Sequence, residues 1–533
     1  MVITPPTSAF NAESAGRTPR PANPLLPEPL AARAHTRMLV VCALAIAAGS
    51  PLAQAETWRI SPSIAVESTL TDNVDLTAHG TADWVNQFTP AIAFQERGAH
   101  TQLNGAIAVP ILLYARTSAE NNQVFPQVNI NGSYEAIDKL LFVDAFASVS
   151  QQFQTPFGPR STSLANATQN RYTAQSYGFS PYVRSVLPGG LEYELRDNNT
   201  WSNSNASSIA SGQSYTNEII GHISSRPTPA GWSLEYDRAD IRFSGQPSEI
   251  TELARMRGSY RIDASLVGSV SAGYEDDRFF LTRERGTIYG AGIVWRPSDR
   301  TTLNANWEHR FFGTAYDVAF NHTSRLTVWS VSAARNIESY PQQLASLGQG
   351  GNVSQLLNSL FASRIADPIA RQTFVDQLIR DRGLPALLSG AVPLLAQQVT
   401  LTESANATAG ILGARNSILF TVFRSRNEPL PGEELAGLLS DQNNNTQIGA
   451  SAAWTHQLKQ NLVLATTFDW SRTSANVQSG ESTRLYSLRA FLSTSLSALT
   501  SVYGGVRYQD SRSDIGESFR EAALFVGLIH MFR

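Results

Sequence analysis

The sequence predicts an all-β fold: a transmembrane antiparallel outer-membrane β-barrel of about 18–22 strands carrying one helical insert. Three observations predict it. Segments of ten to fifteen residues alternate apolar and polar side chains; tight turns alternate with mostly longer polar loops; and one amphipathic helical stretch, "DPIARQTFVDQLIRDRGLP", interrupts the pattern. Composition agrees, because 533 residues that are 42% hydrophobic and 16% charged are too polar for helical membrane spans. A formal net charge of -3 demands neither a nucleic-acid partner nor an acidic tail.

The first stretch, residues 1–55, reads as a Pro-rich leader followed by a secretory signal. Arg33 and Arg37 flank the apolar run Met38–Ala48, which ends in the small-x-small group Ala53-Gln54-Ala55, so cleavage is expected after Ala55. The run falls short of the about twenty apolar residues that span a bilayer. It also holds Cys42, the chain's one cysteine, so the mature chain is expected to contain none.

From residue 56 to 335 the N-terminal part of the barrel is expected. "WRISPSIAVESTL" sets Trp58, Ile60, Ile64, Val66 and Leu70 on one face and Arg59, Ser61, Ser63, Glu67 and Thr69 on the other. "TIYGAGIVWRP" repeats this with Tyr289, Ala291, Ile293 and Trp295, and "LNANWEHRFF" with Leu303, Ala305, Trp307 and Phe311. Soluble strands average about five or six residues, so these longer ones favour membrane staves with lipid on one face and a lumen on the other. Trp232 and Trp295 beside "RPTPA" and "RPSDR" are expected at the periplasmic interface, and Trp470 at the outer one. The C-terminal part, residues 398–533, ends in "EAALFVGLIHMFR". Ala522, Leu524, Val526, Leu528 and Phe532 share a face there, as in strands that the barrel-insertion machinery recognises, although His530 replaces an aromatic and Arg533 follows Phe532.

Between these parts, residues 336–397 read as a helical insert, either a lumen plug or a periplasmic cap. Asp367 suits an N-cap, Pro368 the first helical position, and Gly383 with Pro385 a stop. Ile369, Phe374, Val375, Leu378 and Ile379 form the apolar side of this plug helix, and "VSQLLNSLFASRI" supplies a partner helix through Leu356, Leu357, Leu360 and Phe361. About fourteen alternating strands precede the insert, which makes "SRLTVWSVSA" run towards the periplasm. "VTLTESANATAGIL" must run the same way, so the insert is expected to enter the lumen from the periplasm.

The sequence shows no enzyme constellation. Its eight histidines lack metal-site spacing, and neither a nucleophile elbow nor a phosphate-cradling loop appears, so no catalytic residue, metal or cofactor is expected. The wet faces do carry charge of both signs. Glu235, Asp237, Arg255, Arg257, Arg261, Asp263, Glu308 and Arg310 are the expected lumen-lining set, joined by Glu192, Glu194, Arg196, Asp469 and Arg507. Such residues serve either as a solvated wall with cross-strand ion pairs or as a polar track for a hydrophilic solute.

Four stretches in order, "WRISPSIAVESTLTDNV", "HRFFGTAYDVAFNHTSRLTVWSVS", "RQTFVDQLIRDRGLP" and "GARNSILFTVFRSRNEPL", resemble the outer-membrane β-barrel proteins associated with PEP-CTERM and exopolysaccharide loci of Gram-negative bacteria. The resemblance implies a place in the outer membrane beside exopolysaccharide export machinery, with outer-membrane lipid and a polar polymer as partners. It carries no catalytic residues over. The function expected is a channel or secretion-associated barrel; a general diffusion porin or structural protein is the first alternative and a barrel-embedded hydrolase the second.

Overall fold

A strand in hydrocarbon must find hydrogen-bond partners on both sides, and alternation gives each strand one lipid face and one wet face. The computed structural model meets both demands with one closed antiparallel sheet. It describes residues 57–205, 212–244, 247–339, 342–343, 353–361, 365, 371–372, 374–375, 378–379, 384–385, 388, 390–392, 399–431, 444–476, 480–514 and 516–532. The expected leader, signal and terminal Arg533 lie outside these residues.

The first half of the ring comprises β1 (Thr57–Thr71), β2 (Asp83–Arg97), β3 (Thr101–Ala108), β4 (Ile111–Tyr114), β5 (Gln123–Val124), β6 (Gln127–Ile137), β7 (Leu141–Phe153), β8 (Arg171–Leu187), β9 (Leu191–Ser204), β10 (Gly212–Ser225), β11 (Ala230–Phe243) and β12 (Glu249–Arg261). The second comprises β13 (Leu266–Arg278), β14 (Arg283–Ser298), β15 (Thr301–Arg310), β16 (Gly313–Thr323), β17 (Thr327–Glu338), β18 (Thr400–Leu412), β19 (Asn416–Pro429), β20 (Asn445–Lys459), β21 (Leu462–Ala475), β22 (Ser482–Ser495), β23 (Thr500–Ser513) and β24 (Phe519–Met531). Both β3 and β4 pair with β2, and the short β4–β5 hairpin continues the β3–β6 pair, so the ring has 22 staves. It closes where β1 pairs antiparallel with β24, from Ser63↔Met531 to Thr71↔Ala523. At this seam Gly527 leaves room for the Tyr503 ring, which a Cβ would meet at 2.4 Å; the Tyr503 hydroxyl donates to Glu67 Oε2 at 2.8 Å.

Connections at one end never exceed four residues, as in 188–190, where Gly189 and Gly190 take φ of +94° and +81°. The other end carries loops such as 72–82 and 154–170, and this asymmetry marks the short-turn end as periplasmic. Exposed side chains follow the pattern read from the sequence: Trp58, Ile60, Leu70, Tyr289, Ile293, Trp295, Trp307, Leu524, Val526 and Phe532 all face outward. Phe311 differs, since it sits in the β15–β16 turn and packs edge-on against Phe312 at 5.2 Å. This outward apolar surface on a closed barrel places the protein in the outer membrane.

The helical insert occupies the opposite end from the one expected. Strands β17 and β18 are direct antiparallel neighbours, Thr327↔Ile411 to Glu338↔Thr400, so they run in opposite directions rather than the same one. Strand β17 is the fifteenth stave rather than about the fourteenth, because the turn at Phe311–Phe312 separates β15 from β16 with almost no loop to signal it. The insert therefore joins the long-loop, external ends.

Its first helix, α1 (Val353–Phe361), buries Val353, Leu356, Leu357, Leu360 and Phe361 together with Val375, Leu384 and Leu388, with Leu378 and Ile379 at the margin. Phe374 packs edge-on against Phe361 at 4.9 Å, while Asp367, Pro368, Ile369 and Gly383 lie outside the described residues. The same cluster includes Val328, Leu419 and Ala453 of β17, β19 and β20. Leu419 is 0% exposed between Ile418 at 42% and Phe420 at 45%, so the insert covers the inward wall and lies in the lumen. Replacing fully buried Leu357 by Ala should weaken insert docking by about 2–5 kcal/mol. Limited proteolysis should then cut within 339–399 while the barrel keeps its heat-modifiable mobility; unchanged protection would contradict this packing.

Candidate functional site

A barrel of this width encloses more space than inward side chains fill, so its function depends on what occupies the lumen. Three sectors share it. The insert covers β17–β20, and Gln447 of β20 fixes its far end by accepting from Val392 N at 2.8 Å and donating to Val392 O at 2.9 Å.

The second sector is held by the loop 154–170, which folds inward from β7 and β8. Asn170 shapes its base, accepting from Thr155 N and donating to the Thr155 and Pro159 carbonyls at 2.9 and 3.2 Å. Ala165, Leu164 and Ala167 pack with Val74, Val85, Leu112 and Tyr114. Further along, the loop reaches strands beyond the seam: Thr483 of β22 donates to Phe157 O at 3.1 Å. The firmest anchor is at the seam. Arg507 and Glu521, 3% and 0% exposed, pair at 2.6 Å; Asn166 donates to Glu521 at 3.2 Å and accepts from Arg507 at 3.0 Å. Thr71 and Gln509 also donate to Glu521, and Gln509 donates to Ser161 Oγ at 2.9 Å.

Arg160, at the inner part of this loop, is 6% exposed, and its only hydrogen bond among the described residues goes to Ser471 Oγ at 3.5 Å. Burial pushes its guanidinium down to about 10.

The third sector is open: a cavity of about 1050 Å³ bounded by the wall from β6 to β17 and by Ser339, Gln342 and Val399 at the roots of the insert. One side of the lining is neutral, with Asn129, Asn131, Ser148, Ser150, Asn198 and Thr200, and one step nearer the periplasm on the same faces Arg196 pairs with Asp144 and Glu194, both at 2.9 Å. The other carries charge. Arg255 bridges Glu235 and Glu308, both at 2.6 Å; Ser271 donates to Glu308 at 3.1 Å, and Arg257 stands 3.7 Å from it. Arg310 grips buried Glu275 at 2.6 and 2.8 Å and donates to Asn336 at 2.8 Å. Glu218, Asp237, Asp277 and Asp317 add carboxylates, so acidic groups outnumber Arg255, Arg257, Arg310 and Arg335 along this wall.

Of the lumen-lining set expected from sequence, Glu235, Asp237, Arg255, Arg257, Glu308 and Arg310 line this cavity. Arg261 ends β12 at the periplasmic rim, away from it. Asp263 is corrected: it lies in the 262–265 turn, where its Oδ1 accepts from Ser265 N and Oγ at 2.6 and 2.8 Å. Those bonds hold its carboxyl below the usual carboxylate range. An Asp that closes a turn carries the same one-letter signal as one on a wet face. The docking residues Asn166, Ser161 and Arg160 escaped sequence reading because nothing local marks a loop as folding inward. Among the described residues no group of three His, Cys, Asp or Glu side chains has the geometry to hold a metal ion.

Two outcomes follow for the loop. Glu521→Ala leaves Arg507 buried without its partner and should cost on the order of 3–5 kcal/mol, seen as early protease cleavage within 154–170; the apolar pair Arg507→Met with Glu521→Met should recover most of it. Arg160 releases its proton more easily in the folded chain than in the unfolded one, so loop docking gains stability as pH rises through about 10, and the burial cost is present in full at neutral pH. Arg160→Met should therefore leave thermal stability at pH 7 unchanged or raised; a clear drop would show that the guanidinium has a stabilising partner.

No family model and no curated protein matches the chain. Among solved structures it is similar to the FrpB iron transporter from Neisseria meningitidis (F5-1 variant), at 7% identity over 89% of this chain and 82% of that one with a TM-score of 0.48. It is also similar to the siderophore receptor PirA from Pseudomonas aeruginosa, at 10% identity over 90% and 82% with a TM-score of 0.36. The outer membrane protein opdK from the same organism aligns at 10% identity over 89% and 99%, with a TM-score of 0.29. The architecture itself rests on the closed strand ladder, which makes the chain an outer-membrane β-barrel.

Proposed function

We propose that the barrel passes a hydrophilic polymer, a neutral polysaccharide, along the open β6–β17 sector of a lumen that is otherwise closed. The observation carrying this reading is the division of that sector into an amide- and hydroxyl-bearing wall facing a wall of fixed charge. Amides and hydroxyls exchange hydrogen bonds with sugar hydroxyls at little net cost, and any groups left over find water. The charged wall stays ordered because Arg255, Arg257 and Arg310 are already paired, Arg255 with both Glu235 and Glu308. Its surplus of carboxylates disfavours small anions. The resemblance to barrels of PEP-CTERM and exopolysaccharide loci supports exopolysaccharide as the polymer.

Because Glu338 pairs with Thr400, the insert can be replaced by a hairpin turn of about four residues without altering the register. In planar bilayers the intact protein should show small, cation-selective conductance that neutral oligosaccharides reduce. The variant lacking 339–399 should conduct severalfold more and lose that block. Equal conductance in the two forms, or insensitivity to oligosaccharide, would leave a general diffusion pore as the better reading.

A further inference from the structure

We infer that the outward face of β21–β24, at its external rim, binds the phosphorylated headgroup of an outer-leaflet glycolipid. The strand register brings like charges side by side: Arg472 of β21 stands opposite Arg484 of β22, and Arg484 opposite Arg512 of β23. Alternation turns all three outward, since Thr473 and Thr483 beside them face inward and are buried. Like charges directly opposite one another destabilise a sheet unless something neutralises them. Inside the protein that neutralisation is incomplete. Among the described residues Asp510 alone serves the patch, bonding Arg512 Nε at 3.2 Å and Arg520 Nε at 3.4 Å, while Arg472 and Arg484 have no carboxylate partner. Arg472 Nε is buried without any hydrogen bond.

Position identifies what supplies the missing charge. Trp470 pairs with Tyr486 two residues below the arginine row, a step of about 7 Å along the strand. Below these lie outward Phe468, Leu488, Leu524 and Val526. Aromatic side chains of this kind sit at the edge of the hydrocarbon, so the guanidiniums stand at the depth of lipid phosphates. Arginine forks bind phosphate oxygens bidentately, and a row spaced one strand apart, about 5 Å, suits a headgroup bearing more than one phosphate. Other outward arginines have a carboxylate of their own: Arg242 pairs with Asp240 at 2.8 Å, and Arg283 and Arg285 both bond Asp276, although Arg278 opposite Arg283 has none among the described residues.

The test uses the refolded full chain in detergent, titrated with bisphosphorylated lipid A, monophosphoryl lipid A, phosphatidylglycerol and inorganic phosphate, and read by native mass spectrometry and thermal shift. Bisphosphorylated lipid A should bind most tightly and raise the melting temperature. The triple variant R472Q/R484Q/R512Q should lose roughly a hundredfold in affinity, at about fivefold per guanidinium, and R242Q should lose nothing. Without lipid the triple variant should be at least as heat-stable as the wild type, because the repulsion is gone. If the triple variant does not fold, R484Q alone reads the same site through a loss of about fivefold. Lipid A binding by the triple variant, or by R484Q, equal to that of the wild type overturns the proposal. So does full competition by inorganic phosphate, or binding of phosphatidylglycerol as tight as that of lipid A.

Discussion

Everything in this molecule depends on closing the backbone ladder. Inside hydrocarbon an unpaired N–H or C=O costs several kcal/mol, and an open sheet presents two whole edges of them. The β1–β24 pairing removes both edges, with Glu67, Tyr503 and Gly527 fitted around it. Once the ring is closed, side-chain alternation follows directly: each residue is committed to lipid or lumen, and a one-residue slip would exchange the two. The bands of Trp, Leu and Val outside and of Asn, Ser, Glu and Arg inside are consequences of that commitment.

Closure at this circumference creates a second constraint. The ring is too wide to be filled by its own inward side chains, so the chain returns two of its external connections into the lumen. They are held by different chemistry. The insert lies on the wall through aliphatic contacts, Leu357 and Val375 against Val328, Leu419 and Ala453, with the Gln447–Val392 pair as its polar tether. The loop 154–170 is held at the seam by a buried ion pair and a set of amides, in which Glu521 accepts from Arg507, Asn166, Thr71 and Gln509. Aliphatic contact is tolerant of sliding, whereas a network with this many directed bonds has one good arrangement. Among the described residues the insert is thus held mainly by aliphatic packing and the loop by directed polar bonds.

Much of this was legible in the sequence. Period-two alternation identified the staves, and the outward faces of β1, β14 and β24 are those that Trp58, Tyr289 and Leu524 announce. The apolar spacing of Leu356, Leu357 and Leu360 marked α1. What failed was counting. The turn at Phe311–Phe312 separates two strands with no Gly-Pro-Asn punctuation before Gly313, and one missed stave reversed the inferred direction of everything after it. Loop destinations were illegible for a different reason. Asn166 and Ser161 look like any polar loop residues until Glu521 and Gln509, more than 300 positions away, are brought beside them by closure. The charged wall was half legible: parity picked out Arg255 and Glu308, but only the register shows that Arg255 lies between two carboxylates.

The arginines of this barrel show how one side chain takes its meaning from partner count. Arg507 is buried with Glu521 and Asn166 and acts as a structural rivet. Arg255 spans two carboxylates and stiffens the cavity wall. Arg160 is buried with a single distant hydroxyl, a cost the fold carries without return in the described structure. Among the described residues Arg472 and Arg484 face outward beside one another without a carboxylate. In water such a row would be screened by salt; at the edge of hydrocarbon screening is weaker and the repulsion correspondingly larger. A sheet whose register is imposed by closure has no freedom to slide these side chains apart, so their repulsion favours an anionic headgroup from the membrane. The wall that lines the cavity and the wall that meets lipid are in this way set by the same register, read on its two faces.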